Sequence, residues 1–580
     1  MLYQPGFDAA KHKFPTRQCR QVLETGTTAK FTIPYFRNTM RPLRLVIPLL
    51  LLALGACVSR NDHSDMMVFR YNESAGISSL DPAYSRNLEN IWACNMLYNG
   101  LVQIDDQLNI QPALAKRWEI DSTGTRYTFY LRKGVYFHDN ESFEGGVGRE
   151  VVSTDFVYSF QRLLDPAVAS PGTWVLANLA AAKPFETPND STLVIYLSQP
   201  FPPFLGLLGM QYCAAVPREA VEHYGDDFRS HPVGTGPFYM HFWIENSRLV
   251  MLRNGRYFES DSAGNPLPYL DAVSVSFIPD KSAAYLDLLK GKFDFMSGLH
   301  SSYKDELLTA DGKLNPLYTD QLYLQQHPFL KTDYLGFVTD LPSGKNGAWQ
   351  DPRLRKAINY GIDRQAMVRY LRNNVYAPAD GGFIPKGMAG HAAGAGYSYR
   401  PDSVRSLLRQ AGYPEGKGLP VLTLSTTSDY VDLCEFVQHQ LGEFGMPVKV
   451  DVLPASVHRE RSARGDLEFF RKSWLADYPD DENFMALFYS ENKTPNGPNY
   501  FFYGNDAFDL LYREALSITD PRKRASLYRS MDSLAMRDAP VVPLYYDMVM
   551  RFVSRRVSGL DHNPMNVLDL RRVVVDQGKD

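Results

Sequence analysis

The chain has 580 residues, of which 44% are hydrophobic, 22% charged and 13% aromatic; it is too long for one ordinary core and too apolar for a disordered chain. Five cysteines over this length exclude a disulfide scaffold, and no two of them stand at a C-x-x-C metal spacing. The formal net charge of -4 averages two unlike parts: residues 1–56 hold eight Lys or Arg against two acidic residues, which leaves 53 basic against 63 acidic side chains in 57–580, a net of -10 that disfavours nucleic-acid binding.

The one long apolar run, Leu45 to Ala56, follows Arg41-Pro42-Leu43-Arg44 and ends in Leu54-Gly55-Ala56-Cys57. About a dozen apolar residues are too few to span a bilayer, which takes about 20. A basic start, an apolar core and small residues at the end are the layout of a secretory signal peptide. Its last four residues resemble the lipobox of bacterial lipoproteins, which implies cleavage before Cys57 and acylation of its thiol. A plain signal or buried segment with a chance cysteine is the alternative. Residues 1–39 show no hydrophobic periodicity and place the signal far from the amino terminus. They read as a mis-assigned leader ahead of a start at Met40, or as a disordered extension. Residues 40–56 are then the signal peptide and 57–65 a polar tether.

Beyond the tether, Met67 to Tyr71 predicts a strand, closed by the turn residues Ser79-Leu80-Asp81-Pro82. Tyr127, Phe129 and Leu131 alternate with polar neighbours, the period of a half-buried strand, and Lys133-Gly134 predicts a hairpin into a second run with Val135 and Phe137. Ser153 or Thr154 is expected to cap a helix with Phe156, Val157, Phe160, Leu163 and Leu164 on one face. Later, Asp351-Pro352 and Asp363 open two helices, and Pro401 opens a third that Gly412 closes. Strand Val421 to Ser425, helix Val431 to Phe444 and alternating Val448, Val450 and Val452 predict a parallel strand pair joined by a helix. Gly387 to Gly396 is a loop by composition and lacks the Lys-Ser or Lys-Thr of a phosphate cradle.

No reaction is legible. None of the 12 histidines stands in H-E-x-x-H, and G-x-S-x-G is absent. Ser301-Ser302-Tyr303-Lys304 satisfies S-x-x-K, but without its companion motifs such a four-residue pattern carries nothing. The segment Ser473 to Phe484 is different, since it sets Trp474, Tyr478 and several carboxylates among turn-forming residues. Flat apolar surface beside one orienting charge suits a binding site. By composition alone, a solvated acidic loop with a core Trp is the simpler reading.

The chain also carries, in this order, Ser79-Leu80-Asp81-Pro82, Tyr127 through Asp139, Asp155-Phe156-Val157-Tyr158-Ser159, Gly234-Thr235-Gly236-Pro237-Phe238, Asp351 to Asp363-Arg364, and Trp474 to Phe484. In these stretches and their order it resembles the extracytoplasmic solute-binding proteins of peptide ABC importers, over nearly all of residues 66 to 575. The resemblance implies an α/β, periplasmic-binding-protein-like fold: two lobes joined by a hinge, an extra subdomain on the first, and discontinuous domains. Lobe I is expected at 66–88, 197–315 and 549–580, the subdomain at 89–196 and lobe II at 316–548.

By the same resemblance the chain is no enzyme and needs no cofactor or metal. It is expected to be a monomeric lipoprotein, held to a membrane by lipid on Cys57, that passes peptides to permease subunits from the extracytoplasmic side. In Trp474-Leu475-Ala476-Asp477-Tyr478 the resemblance makes Asp477 the anchor for a peptide's α-ammonium. Ser473, Trp474 and Leu475 match the strand that pairs with the peptide backbone, and Tyr478 belongs to the same element. Gly76, Ile77 and Ser78 are expected as the edge on the other lobe, and Trp174 either lines a side-chain pocket or sits in the core. No arginine for a ligand carboxylate stands near Leu424 to Tyr430, which favours peptides longer than two residues. Glu144 to Glu150 reads as a surface insertion. The rival readings are an oligosaccharide, nickel or haem in the same fold, or a secreted hydrolase.

Overall fold

The structure, a computed structural model, describes residues 66–300, 303–340, 347–495 and 497–577. The leader, the signal peptide, the tether, Cys57 and Ser301 lie outside them.

The large sheet is numbered here in chain order: β1 (Val68–Asn72), β2 (Phe238–Ile244), β3 (Arg248–Arg253), β4 (Ala272–Ser276), β5 (Phe295–Ser297), β6 (Leu322–Phe337), β7 (Leu422–Thr426), β8 (Val448–Val452), β9 (Phe469–Leu475) and β10 (Val541–Ser554). In space the order is β8-β7-β9-β6-β10-β5-β1-β4-β3-β2, with Ala377–Pro378 pairing β10 off this path. Two strands cross from one half to the other. The first part of β6, Leu322 to Pro328, pairs with Ser554 to Met548 of β10, which also carries β5. After a break in register between Pro328 and Thr332, the second part of β6 pairs with Tyr546 to Val541 and with β9. One sheet thus serves two lobes, each with its own apolar core. β10 is buried along nearly its whole length, as a strand covered on both faces must be.

The charged residues at that break are paired within the protein. Lys331 Nζ lies 2.6 Å from Asp547 Oδ2 and 3.2 Å from Asp333 Oδ2, and Arg471 donates to Asp333. Buried charges are tolerated because each finds a partner of opposite sign.

A separate four-stranded antiparallel sheet is built from Ala115–Ile120, Arg126–Leu131, Thr192–Tyr196 and Phe185–Asn189, in that spatial order. Tyr127, Phe129 and Leu131 face its core, as their spacing predicts, and the helix Ser153–Leu164 covers it with Phe156, Phe160 and Leu163. Two local expectations fail here. Gly134 does turn with φ +73, but no hairpin forms. Arg126–Leu131 takes Thr192–Tyr196 as its partner, and only the bridge Tyr136 to Glu150 remains of the second run. Nor do Ser153 or Thr154 cap the helix. The N-cap is Val152, whose backbone N–H donates to the Asp155 carboxylate at 2.8 Å.

In the second lobe the local signals hold. Asp351 accepts from the Arg353 amide at 2.8 Å to start Pro352–Gly361, and Asp363 accepts from Ala366 at 3.0 Å to start Arg364–Arg372. Helix Pro401–Gln410 runs into Gly412, whose φ of +90 favours glycine. β7, the helix Val431–Gly442 and β8 form the expected unit with a parallel strand pair. The stretch 387–396 is irregular, tied by a 2.8 Å contact of His391 Nδ1 with the Ile384 carbonyl. Among the described residues no helix is long and apolar enough to cross a membrane, and no group of three or more His, Cys, Asp or Glu could hold a metal ion.

Candidate functional site

A cavity of about 950 Å³ is lined by segments far apart in the sequence, between residues 85 and 106, 171 and 212, 474 and 500, and 561 and 572. One side is the loop at Arg86 and the helix α1 (Leu88–Leu97), which presents Leu88, Ile91 and Asn95 at helical spacing. Trp174 and Tyr212 extend this side. Opposite stand Trp474 to Tyr478, Asn483 and Tyr500, and the C-terminal segment from Asp561 to Arg572 closes the far end.

The segment Trp474 to Tyr478 leaves the end of β9 and is fixed there by backbone and side-chain bonds. The Ala476 N–H donates to the Leu330 carbonyl at 2.9 Å. Asn483 Oδ1 accepts both from the Trp474 indole, at 2.8 Å, and from the Asp477 N–H, at 3.3 Å. One side chain thereby sets the angle of the indole and the position of the carboxylate. Leu475 is exposed. Tyr478 is buried, with its ring centroid 6.2 Å from that of half-exposed Trp174 and its Cβ against Gly206. The Tyr478 hydroxyl donates to buried Glu482, which also accepts from Tyr512. Burial pushes the Glu482 carboxyl up to about 7, against the pull of these two phenols.

Asp477 is exposed to the cavity while protein packs around it on several sides. Desolvation pushes its carboxyl up to about 6, and the Asn483 side chain and the Arg86 charge partly offset this. No Lys or Arg among the described residues lies within 4.0 Å of it. Among the described residues no cation makes an ion pair with it, so the carboxylate can take a ligand's cation.

The far end is already neutralised in part. Arg571 pairs with both Asp569 and Glu259 and donates to Gln103 at 2.8 Å, so its guanidinium is filled by the protein.

The structure therefore brings Trp174, Trp474, Leu475, Asp477 and Tyr478 to one cavity. It does not bring Ser473 or the stretch Gly76 to Ser78 to that wall. Ser473 lies opposite Asp333 in the sheet. Gly76 is in a turn, Ile77 is core, and Ser78 exchanges hydrogen bonds with Asn90 at 3.2 and 3.1 Å. Arg86, Tyr212, Tyr500 and the segment 561–572 join the site without any sequence signal, since they stand on loops or in patterns that carry no motif, whereas Asn483 lies within the Trp474 to Phe484 stretch already singled out. Near Leu424 to Tyr430, an arginine does arrive from another strand: the Arg471 guanidinium lies 3.1 Å from the Tyr430 ring centre, but Asp333 already holds it.

The model of "Bacterial extracellular solute-binding proteins, family 5 Middle" matches residues 109–496. The chain is similar to the glutathione-binding protein GsiB of Salmonella typhimurium, at 25% identity over 84% of this chain and 90% of that one. It is also similar to heme-binding protein A of Haemophilus influenzae, at 27% over 83% and 87%. Among solved structures, the periplasmic binding protein DppA of Helicobacter pylori in complex with the peptide STSA matches with a TM-score of 0.72 at 27% identity, over 88% of this chain and 99% of that one. The periplasmic murein tripeptide-binding protein MppA in its unliganded open form matches with 0.71 at 25%, over 88% and 98%.

Proposed function

The chain belongs to the bacterial extracellular solute-binding proteins of family 5, which serve ABC importers, and from this premise we propose that it captures oligopeptides between its lobes and delivers them to a membrane permease. The observation that carries this reading is Asp477. It is a carboxylate without a cationic partner among the described residues, positioned by Asn483 in a cavity of about 950 Å³ between aromatic side chains. A peptide's α-ammonium supplies the missing charge. A charge-assisted hydrogen bond of this kind contributes about 1.5 to 3 kcal/mol.

The rest of an extended peptide can bond through its backbone, which is the same for every sequence, while water fills the space around its side chains. Both features suit broad specificity. The proposed hinge is the pair of strands β6 and β10, whose broken register at Pro328 to Thr332 lies between the lobes; closing there gives a permease a distinct shape to recognise. Lobe I is proposed to take in 66–88, 197–315 and 549–580, the subdomain 89–196, and lobe II 316–548. The receptor is proposed to act as a monomer, anchored on the extracytoplasmic side by lipid on Cys57.

The test is incubation of the purified protein with a peptide mixture, followed by mass spectrometry of what it retains. Intact retained peptides are expected. Cleaved products, or retention of haem with no peptide, contradict the reading.

A further inference from the structure

A smaller cavity, of about 280 Å³, lies against the outer face of the sheet in the first lobe. Strand alternation puts it there. In β1, β4 and β3, Phe69, Tyr71, Val273, Val275, Leu249 and Met251 belong to the lobe's core, so their neighbours along each strand point the other way. These neighbours include Arg70, Ser274, Ser276 and Arg248, and the register sets Arg70 beside Ser274 and Arg248 beside Ser276. The helix Lys281–Leu289 and the turn after it complete the lining with Asp287, Lys292 and Phe293.

Two cations there have no carboxylate. Among the described residues, the side chain of half-buried Arg70 bonds only to the Val68 carbonyl, at 3.2 Å. No carboxylate among them lies within 4.0 Å of the Arg70 or the Arg248 guanidinium. The nearby acids are taken: Asp287 pairs with Lys292 at 3.0 Å, and buried Asp294 accepts from the Arg70 N–H at 2.8 Å and pairs with Arg556. The lining thus sets three cations against one carboxylate, on a chain whose residues 57–580 carry a net charge of -10. Neither the Ser274 nor the Ser276 hydroxyl is hydrogen-bonded among the described residues.

We propose that this cavity binds a phosphate group. β4 lies between β1 and β3, and neighbouring strands stand about 4.8 Å apart, which with a two-residue offset puts the Arg70 and Arg248 Cα atoms about 12 Å from each other. Two extended arginine side chains can close that gap on one shared ligand. A carboxylate is planar and singly charged, so one guanidinium fork fills it. A phosphomonoester dianion is tetrahedral and offers three strong acceptor oxygens, enough for two forks from different strands and a serine hydroxyl. The chemistry is the same whether the phosphate is soluble or heads a membrane lipid. This cavity shares no lining residue with the one that holds Asp477, so phosphate binding is independent of peptide capture.

Equilibrium dialysis of the purified protein against labelled inorganic phosphate, at constant ionic strength and above the second phosphate pKa of about 6, is the test. One saturable site is expected, from which acetate displaces the label about tenfold less well than phosphate, or worse. Arg70→Gln and Arg248→Gln are each expected to weaken phosphate by about tenfold or more. Lys290→Gln, which removes a neighbouring charge outside the lining, should change it by less than about twofold. Melting temperatures check the fold of each variant. Competition then separates the sources: stronger displacement by glycerol 3-phosphate assigns a soluble ligand, and stronger displacement by vesicles of phosphatidic acid in phosphatidylcholine assigns a lipid. No saturable binding, acetate as effective as phosphate, or equal losses in all three variants overturns the proposal. The acetate comparison uses the natural protein, so it decides the matter even if a variant does not fold.

Discussion

Trp174 and Tyr478 meet ring to ring across the cavity, with centroids 6.2 Å apart and planes inclined at 36°. Tyr478 comes from the segment that follows β9, yet it is buried in the core cluster of the first lobe, against Gly206. This contact joins two parts of the chain that are some three hundred residues apart in sequence, and both side chains line the cavity that holds Asp477.

Trp174→Ala is therefore expected to weaken closure. An aromatic pair contributes about 0.5 to 1.5 kcal/mol beyond the area it buries, so ligand affinity should fall by roughly two- to tenfold. Calorimetry with a bound peptide measures the loss, and small-angle scattering should show a larger radius of gyration for the variant at the same ligand concentration. Unchanged affinity and radius contradict a closing role.

Glu482 makes stability depend on pH in a defined direction. Its folded carboxyl is raised to about 7 by burial, above the unfolded value of about 4.3. The folded state therefore holds this proton more tightly, and the contribution is complete below about pH 4.3 and lost as pH rises to 7. Glu482→Gln cannot lose it, so the variant should gain on the natural protein by up to about 1.4 kcal/mol per pH unit across that window. Comparing the two removes the opposite slope of His138 and His327, which burial lowers to about 4. Urea unfolding at pH 5, 6 and 7 measures it. A constant difference between variant and natural protein contradicts the assignment.

How much of this was legible in the sequence depended on how local the signal was. Asp351, Asp363 and Gly412 mark helix ends because their effect is confined to the neighbouring turn. No hairpin follows Lys133-Gly134, because a strand's partner is chosen by the whole sheet: Arg126–Leu131 pairs with a strand some sixty residues later. The same limit governs the cavity. Trp474 to Tyr478 is one contiguous element and could be recognised, whereas Arg86, Tyr212 and Tyr500 meet it only through folding. Gly76 to Ser78, the expected edge on the other lobe, do not line the cavity of this structure, and Ser78 bonds with Asn90 of α1.

The lipid anchor is tested apart from the site. Cys57→Ser removes the only acceptor in Leu54-Gly55-Ala56-Cys57, and the protein is expected to move from the membrane fraction to the soluble extracytoplasmic fraction, because two or more acyl chains are what hold such a protein to a bilayer. Unchanged partitioning contradicts the anchor.

The claim on which the account turns is that Asp477 holds the ligand's ammonium, and Asp477→Asn with paired ligands tests it most directly. Calorimetry with a free-amine peptide and its N-acetylated form, at pH 7.5 where a carboxyl raised to about 6 is ionised, should show a loss of roughly ten- to a hundredfold for the free amine. The acetylated form, which has no positive charge at its amino end, should change by less than about threefold. Lowering the pH through 6 should weaken the free-amine peptide in the natural protein and leave the variant nearly flat, because protonation removes the anion that binds it. Equal losses for both peptides in the variant would place the ammonium elsewhere and contradict the account.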